Sequence, residues 1–217
     1  MEGLHWNAVV FDLDGTLIDT IPLIVASHRH AVQTVLGYDL PDDVLKAGIG
    51  RPLIDQMRVF DADRAQALFD TYRVWNHANT AALLGRFDGV DDVLLRLAAA
   101  GAVLGVATSK SRDAVDLAFS IQPPAVVFGA VITVEDSALH KPHPEPVLTA
   151  IARLGAEVSD AVYVGDAPYD IEAARAAGCG AVGVTWGVAT ADVLVSAGAH
   201  AVAETPAELA AILLGTG

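Results

Sequence analysis

The apolar run Ala8-Val9-Val10-Phe11 leads straight into Asp12-Leu13-Asp14-Gly15-Thr16. The four apolar residues read as a buried strand, and in parallel α/β sheets the carboxyl ends of the strands face the ligand crevice. Two carboxylates one residue apart at such an end can act on a ligand, and Gly15 lets the chain turn tightly beside it. Asp and Gly are also ordinary turn residues. What favours chemistry is the cost of crowding like charges at one sheet edge, which a divalent cation would offset.

Three later segments extend the set. Thr108-Ser109-Lys110 closes the run Val103–Ala107 and puts hydroxyls and backbone N–H groups ahead of a helix, a setting for an N-cap or for a bound phosphate. Lys141 lies in His140-Lys141-Pro142-His143-Pro144-Glu145-Pro146, where prolines fix the backbone around it, a rigidity that solubility alone does not need. Gly165-Asp166-Ala167-Pro168-Tyr169-Asp170 follows Val162–Val164 with a second carboxylate pair; Pro168 suits a first helical turn and Asp170 its positive end. A carboxylate pair, a hydroxyl, a lysine and a second carboxylate pair at successive strand ends make a metal-assisted phosphate site.

These positions need a sheet. From residue 102 onward, short β-branched runs alternate with amphipathic, Ala-rich stretches, the pattern of βα units around a mostly parallel sheet. The expected strands are Ala102–Ala107, Val126–Ile132, Ala161–Val164, Ala181–Val184 and Ala201–Ala203. The helices between them are expected near Arg112–Phe119, Glu145–Leu154, Tyr169–Ala177, Thr190–Ala197 and Pro206–Leu214. Between the first strand and this region the chain is helical: Ile21, Ile24, Val25, His28, Val32 and Val35 recur at helical spacing after Thr20, a candidate N-cap, and Ala62, Ala65, Phe69, Tyr72 and Trp75 form a second amphipathic stretch. His28 sits on the apolar face and reads as a packed histidine. The fold class is therefore α/β, a Rossmann-like three-layer core with a mostly parallel sheet (1–19 and 88–217) and an inserted α-helical cap domain (20–87).

With 27 acidic against 13 basic residues the net charge of the 217-residue chain is −14, which argues against nucleic-acid and anionic-membrane partners. At 53% hydrophobic residues it can bury a sizeable core. The single cysteine, Cys179, permits no intrachain disulfide. Met-Glu-Gly-Leu-His-Trp-Asn lacks the basic start of a signal peptide, and no uncharged apolar run reaches the roughly 18 residues of a membrane span. A cytoplasmic protein, monomer or homodimer, is the expectation.

The motif residues resemble the haloacid dehalogenase superfamily: Asp12-Leu13-Asp14-Gly15-Thr16 as its first motif, Thr108 as its second, Lys141 as its third and Gly165-Asp166 with Asp170 as its fourth. The resemblance covers essentially the whole chain. The helical insert after the first motif, the Lys-Pro-x-Pro loop and Ala174-Arg175-Ala176-Ala177-Gly178 look like the phosphoglycolate phosphatase and β-phosphoglucomutase branch. What the resemblance implies is a phosphatase acting on a small phosphorylated metabolite, with a phosphomutase as the alternative.

In that reading Asp12 is the nucleophile that becomes an aspartyl phosphate, and Asp14 protonates the leaving oxygen and later activates water. Mg²⁺ is held by the carboxylates of Asp12 and Asp166 and the backbone carbonyl of Asp14, while Asp170 holds the metal's waters or Lys141. Thr108 and Lys141 grip the phosphoryl oxygens. The acid at position 14 favours phosphate esters over carbon–halogen or carbon–phosphorus bonds. Ser109 stands where relatives often carry Asn, and Ala167 where they often carry Ser. A receiver-type phospho-acceptor module also clusters Asp, Thr or Ser and Lys around Mg²⁺, but has no helical insert after its first strand. Ser109 remains a substrate-binding candidate, as does Arg51 in Gly48-Ile49-Gly50-Arg51-Pro52-Leu53, whose guanidinium can hold a second anion of the substrate.

Overall fold

The computed structural model describes residues 6–215; residues 1–5, part of the stretch read for a signal segment, and 216–217 lie outside the described residues. Strand β1 (Ala8–Phe11) is followed by the two-residue β2 (Ile18–Asp19), helices α1 (Ile21–Leu36), α2 (Asp42–Lys46), α3 (Leu53–Phe60) and α4 (Ala65–Leu83), and β3 (Gly85–Arg86). The chain then alternates α5 (Val90–Ala99), β4 (Val103–Ala107), α6 (Arg112–Ile121), β5 (Ala130–Ile132), α7 (Glu145–Arg153), β6 (Ala161–Gly165), α8 (Pro168–Ala177), β7 (Gly180–Val184), α9 (Ala191–Ser196), β8 (Ala201–Ala203) and α10 (Pro206–Leu214).

Six strands form one parallel sheet in the order β5-β4-β1-β6-β7-β8. Every residue of β1 is buried, as a central strand covered on both faces requires. Its side chains alternate: Ala8 and Val10 join Tyr163, Val147, Ile151 and Ile171 under α7 and α8, whereas Val9 and Phe11 join Val93, Leu97, Leu209 and Leu213 under α5 and α10. The result is the expected three-layer α/β core. Its register sets the site: Phe11 lies opposite Val106 of β4 and Val164 of β6, so Asp12, Ala107-Thr108 and Gly165-Asp166 leave the sheet at one edge.

Helices α1 to α4 are inserted between β2 and β3 and share an apolar cluster of their own, with Val32, Leu45, Met57, Leu68 and Tyr72 at its centre. The antiparallel pair of β2 and β3 closes the base of the insert. At two residues each, these strands show no period that a sequence could reveal.

Two local expectations are corrected. Strand β5 covers only Ala130–Ile132, not Val126–Ile132: with Ala130 opposite Gly105, Val126 and Val127 would fall beyond the start of β4 at Val103, with no strand to pair with, and Val127 is 95% exposed. Thr20 precedes α1, but its hydroxyl makes no capping hydrogen bond: its backbone, at φ −101° and ψ −7°, is not in the extended conformation of an N-cap, and Pro22 in the first turn offers no N–H. The other expected strands and helices of the sheet region agree to within two residues at each end, and α5 (Val90–Ala99) is a helix that the sequence patterns do not assign.

Candidate active site

Backbone bonds carry the parallel ladder one step past the strands. Asp12 N donates to Val164 O at 2.8 Å and Thr108 N to Ile132 O at 2.9 Å, so both residues are fixed as the sheet ends. Beyond them Gly15 takes φ +77°, and the loop closes with Gly15 N donating to Ile18 O and Leu17 N to Leu13 O.

Asp12 is 3% exposed and Lys141 2%. Lys141 Nζ donates to Asp170 Oδ1 at 2.7 Å and to the Tyr163 hydroxyl at 3.0 Å, and lies 2.9 Å from Asp12 Oδ1. That last contact is an ion pair off the angle of a hydrogen bond, and Asp12 Oδ1 is a buried oxygen with no hydrogen-bond partner. Burial pushes the Asp12 carboxyl up to about 7 against the pull of Lys141, and the charges of Asp170 and Asp14 add to the rise. Burial alone would depress the Lys141 ammonium, but Asp12 and Asp170 hold it well above its ordinary value. Asp170 Oδ2 accepts from Ala167 N at 3.0 Å, so this side chain both closes the first turn of α8 and anchors the lysine.

Asp166 accepts from Thr16 Oγ1 at 3.1 Å and Val188 N at 2.8 Å. Burial, then the charges of Asp170 and Asp12, raise its pKa well above the carboxylate range. Carboxylate oxygens of Asp12, Asp166 and Asp170 lie within 4.8 Å of one another. The Asp14 carboxylate is outside this group, because both its oxygens accept from Lys110 Nζ, at 2.8 and 3.1 Å. Four carboxylates thus face two ammonium groups. With an unpartnered oxygen on Asp12 and an all-oxygen donor set, the cluster fits a hard divalent cation such as Mg²⁺.

Above these residues lies a cavity of about 930 Å³ between the sheet edge and the helical insert, lined by Asp12, Asp14, Thr108 and Lys110 on one side and Arg51 and Tyr72 on the other. The expected site residues Asp12, Asp14, Asp166, Thr108 and Lys141 are therefore brought together. Thr108 is buried, and its hydroxyl accepts from Lys110 N at 3.2 Å.

Ser109 and Arg51 each hold a contact within the protein. Ser109 Oγ donates to Gly50 O at 2.7 Å, joining the sheet edge to the Gly48–Leu53 loop. The Arg51 guanidinium carbon sits 5.9 Å from the Tyr169 ring centroid, and its carbonyl accepts from Gln56 Nε2 at 2.7 Å. Both residues still border the cavity. Three residues acquire partners that the sequence reading did not assign: Lys110 on Asp14, Gln56 under the Arg51 loop, and Tyr163 on Lys141. A phenol within the strand Ala161-Val162-Tyr163-Val164 was a usable signal, since a buried hydroxyl needs a partner. His28 is fully buried as expected, with Nδ1 2.8 Å from Leu45 O and Phe60 and Tyr72 against its ring.

Residues 9–184 match the family of haloacid dehalogenase-like hydrolases. The chain belongs to that family. The pyrophosphatase PpaX of Bacillus velezensis is 36% identical over 195 residues, covering 89% of this chain and 90% of the relative. A putative pyrophosphatase PpaX of Clostridium perfringens is 37% identical over 180 residues, covering 83% and 84%. Among solved structures, a putative haloacid dehalogenase-like hydrolase of Bacteroides fragilis has a TM-score of 0.88 at 28% identity, covering 94% of this chain and 99% of that one. A predicted phosphatase of Clostridium acetobutylicum has 0.87 at 27%, covering 97% and 99%. The hydrolase thus has relatives described as phosphatases by sequence and by structure. Among the described residues no helix is long and apolar enough to cross a membrane.

Proposed function

We propose that this hydrolase is a Mg²⁺-dependent phosphatase of a small phosphorylated metabolite that works through an aspartyl phosphate on Asp12. The observation that carries the reading is the buried Asp12 carboxylate, ion-paired to Lys141 at 2.9 Å at the cavity floor. An Asp12 oxygen attacks phosphorus, and the leaving group departs from the opposite side. Lys141 and the Thr108 hydroxyl hold the phosphoryl oxygens, and Lys141 is itself aimed by Asp170 and Tyr163. Asp14 serves the leaving oxygen with a proton and then takes one from the water that cleaves the aspartyl phosphate. Asp12, Asp166 and the Asp14 carbonyl would hold Mg²⁺, which supplies charge neutralisation to the transferring phosphoryl group.

Residues 20–87 are read as a cap domain over a core of 1–19 and 88–217, and the protein as cytoplasmic, a monomer or homodimer. Phosphoglycolate-like monoesters are one substrate class. The relatives at 36–37% identity described as pyrophosphatases support a second, inorganic pyrophosphate. The test is phosphate release from p-nitrophenyl phosphate, phosphoglycolate and pyrophosphate with Mg²⁺ and with EDTA. Turnover that survives EDTA, or none on any substrate, overturns the reading. Conversion of a sugar 1-phosphate to its 6-phosphate in excess of phosphate release would make the enzyme a mutase instead.

A further inference from the structure

Lys110 has no role in the scheme above, yet its ammonium grips both oxygens of Asp14. The two side chains are 11% and 16% exposed, and both line the cavity. The lysine's backbone is anchored on either side: its N–H goes to the Thr108 hydroxyl, and its carbonyl accepts from Val134 N at 3.1 Å. Lys110 therefore reaches Asp14 from a fixed turn at the end of β4, across 96 residues of sequence, and not from a loose surface chain.

The arrangement has a chemical consequence. Asp14, which serves the leaving oxygen, is engaged through both of its carboxylate oxygens by Lys110. The ammonium beside it carries three donors and a full charge. Any leaving oxygen close enough to meet Asp14 also meets Lys110.

We propose that Lys110 is a further catalytic residue on the leaving-group side of the cavity, its ammonium taking up the charge of the departing oxygen. The site then favours leaving groups that depart as anions, those of phosphoanhydrides and acyl phosphates, over alkyl phosphates. This rests on the phosphatase reading. An Asp12 oxygen bonds to phosphorus, the bond from phosphorus to the leaving oxygen breaks, and its electron pair goes with a phosphate or carboxylate anion hydrogen-bonded to Lys110; no proton moves. Water then attacks the aspartyl phosphate and gives one proton to Asp14, which passes it on to solvent before the next turnover. The phosphorus–Asp12 bond breaks with its electrons returning to Asp12, and inorganic phosphate is released. An alkoxide is far too basic to leave as a free anion, so an alkyl phosphate depends on the proton that Asp14 serves and gains little from the Lys110 ammonium.

The experiment compares kcat and KM with Mg²⁺ for pyrophosphate, acetyl phosphate and phosphoglycolate in the wild type, Lys110→Met, Lys110→Arg, Asp14→Asn and the double variant Asp14→Asn/Lys110→Met. Lys110→Met should lower kcat on pyrophosphate and acetyl phosphate by roughly 30-fold or more, with under about threefold loss on phosphoglycolate. Lys110→Arg should restore most of the lost rate. Equal losses on all three substrates, or a larger loss on phosphoglycolate, overturn the role of Lys110 while leaving the phosphatase reading intact. A rise in KM alone does the same. If Lys110→Met fails to fold by circular dichroism, the double variant, which removes both charges together, and Lys110→Arg decide by the same substrate ratios. A wild type that hydrolyses none of the three overturns both readings.

Discussion

A methyl carbon at Gly187 would lie 2.0 Å from Asp166 Oδ2, and one at Gly15 2.3 Å from the same atom. Two residues without side chains therefore make the room in which Asp166 stands. Gly187→Ala is expected to push the carboxylate aside and raise the Mg²⁺ concentration needed for half-maximal thermal stabilisation by at least about tenfold, as losses of supporting contacts at metal sites do. An unchanged Mg²⁺ titration, followed by thermal shift, would mean that Asp166 is not held for an ion. Asp12→Asn tests a different function: an amide is a far weaker nucleophile, and kcat should fall by at least about 10³ in a variant whose circular dichroism is unaltered. Retention of a tenth of the wild-type rate would place the nucleophile elsewhere.

At the scale of the elements, the helical insert carries a titratable group in its core. His28 on α1 faces Phe60 of α3 and Tyr72 of α4, with the Gln56 side chain of α3 beside it. Burial lowers its pKa to about 4, despite the backbone bond to Leu45 that opposes the shift. The sign follows from linkage: near pH 7 the histidine is neutral folded and unfolded, and between pH 6.5 and 4 only the unfolded chain takes up the proton. Its contribution is therefore fully present above pH 6.5 and lost as the pH falls, by about 3 kcal/mol at pH 4. His28→Asn keeps an N–H for Leu45 O but does not titrate. The stability difference between wild type and variant, from urea unfolding, should shift against the wild type by about that amount from pH 7 to pH 4, and a constant difference would show that His28 is not held neutral.

The helical periodicity around His28 announced this burial, just as the runs Val9–Phe11, Val103–Ala107 and Val162–Val164 announced the three strand ends that carry the acids. Patterns of two and 3.6 residues report which face is buried, and in a parallel sheet that also fixes the edge where a motif emerges. They do not report contacts between edges. The Lys110–Asp14 pair joins two strand-end loops of the core and the Ser109–Gly50 bond joins the core to the insert, across 96 and 59 residues, and no local pattern encodes either. The overlong reading of β5 has the opposite origin: Val126, Val127 and Phe128 have strand-forming side chains, but the partner strand β4 starts only at Val103, so Val126 and Val127 have no ladder to join.

For the molecule as a whole, the cavity depends on how the insert meets the core. The Arg73–Asp113 ion pair, at 3.7 Å and well exposed, contributes under about 1 kcal/mol. The firmer contact is the Gly48–Leu53 loop, where Ser109 Oγ binds Gly50 O and Arg51 lies against Tyr169. Gly50 has φ +99°, and a methyl carbon there would come within 3.0 Å of Ala167 Cβ. Gly50→Ala should therefore destabilise the docked loop by about 1–2 kcal/mol. Of this loop only Leu53, at its end, packs against the insert's own apolar cluster, so the melting temperature should change little. If docking encloses the substrate, kcat/KM should fall about 5- to 30-fold on pyrophosphate, phosphoglycolate and p-nitrophenyl phosphate alike. The radius of gyration from small-angle scattering should rise at the same time. Arg51→Ala separates this from anion binding: a guanidinium that turns from Tyr169 to a second anion would raise KM for phosphoglycolate and leave p-nitrophenyl phosphate nearly unchanged, whereas one that only braces the loop would reproduce the uniform loss of Gly50→Ala. A Gly50→Ala enzyme with wild-type kinetics on all three substrates would show that catalysis proceeds without the loop in place.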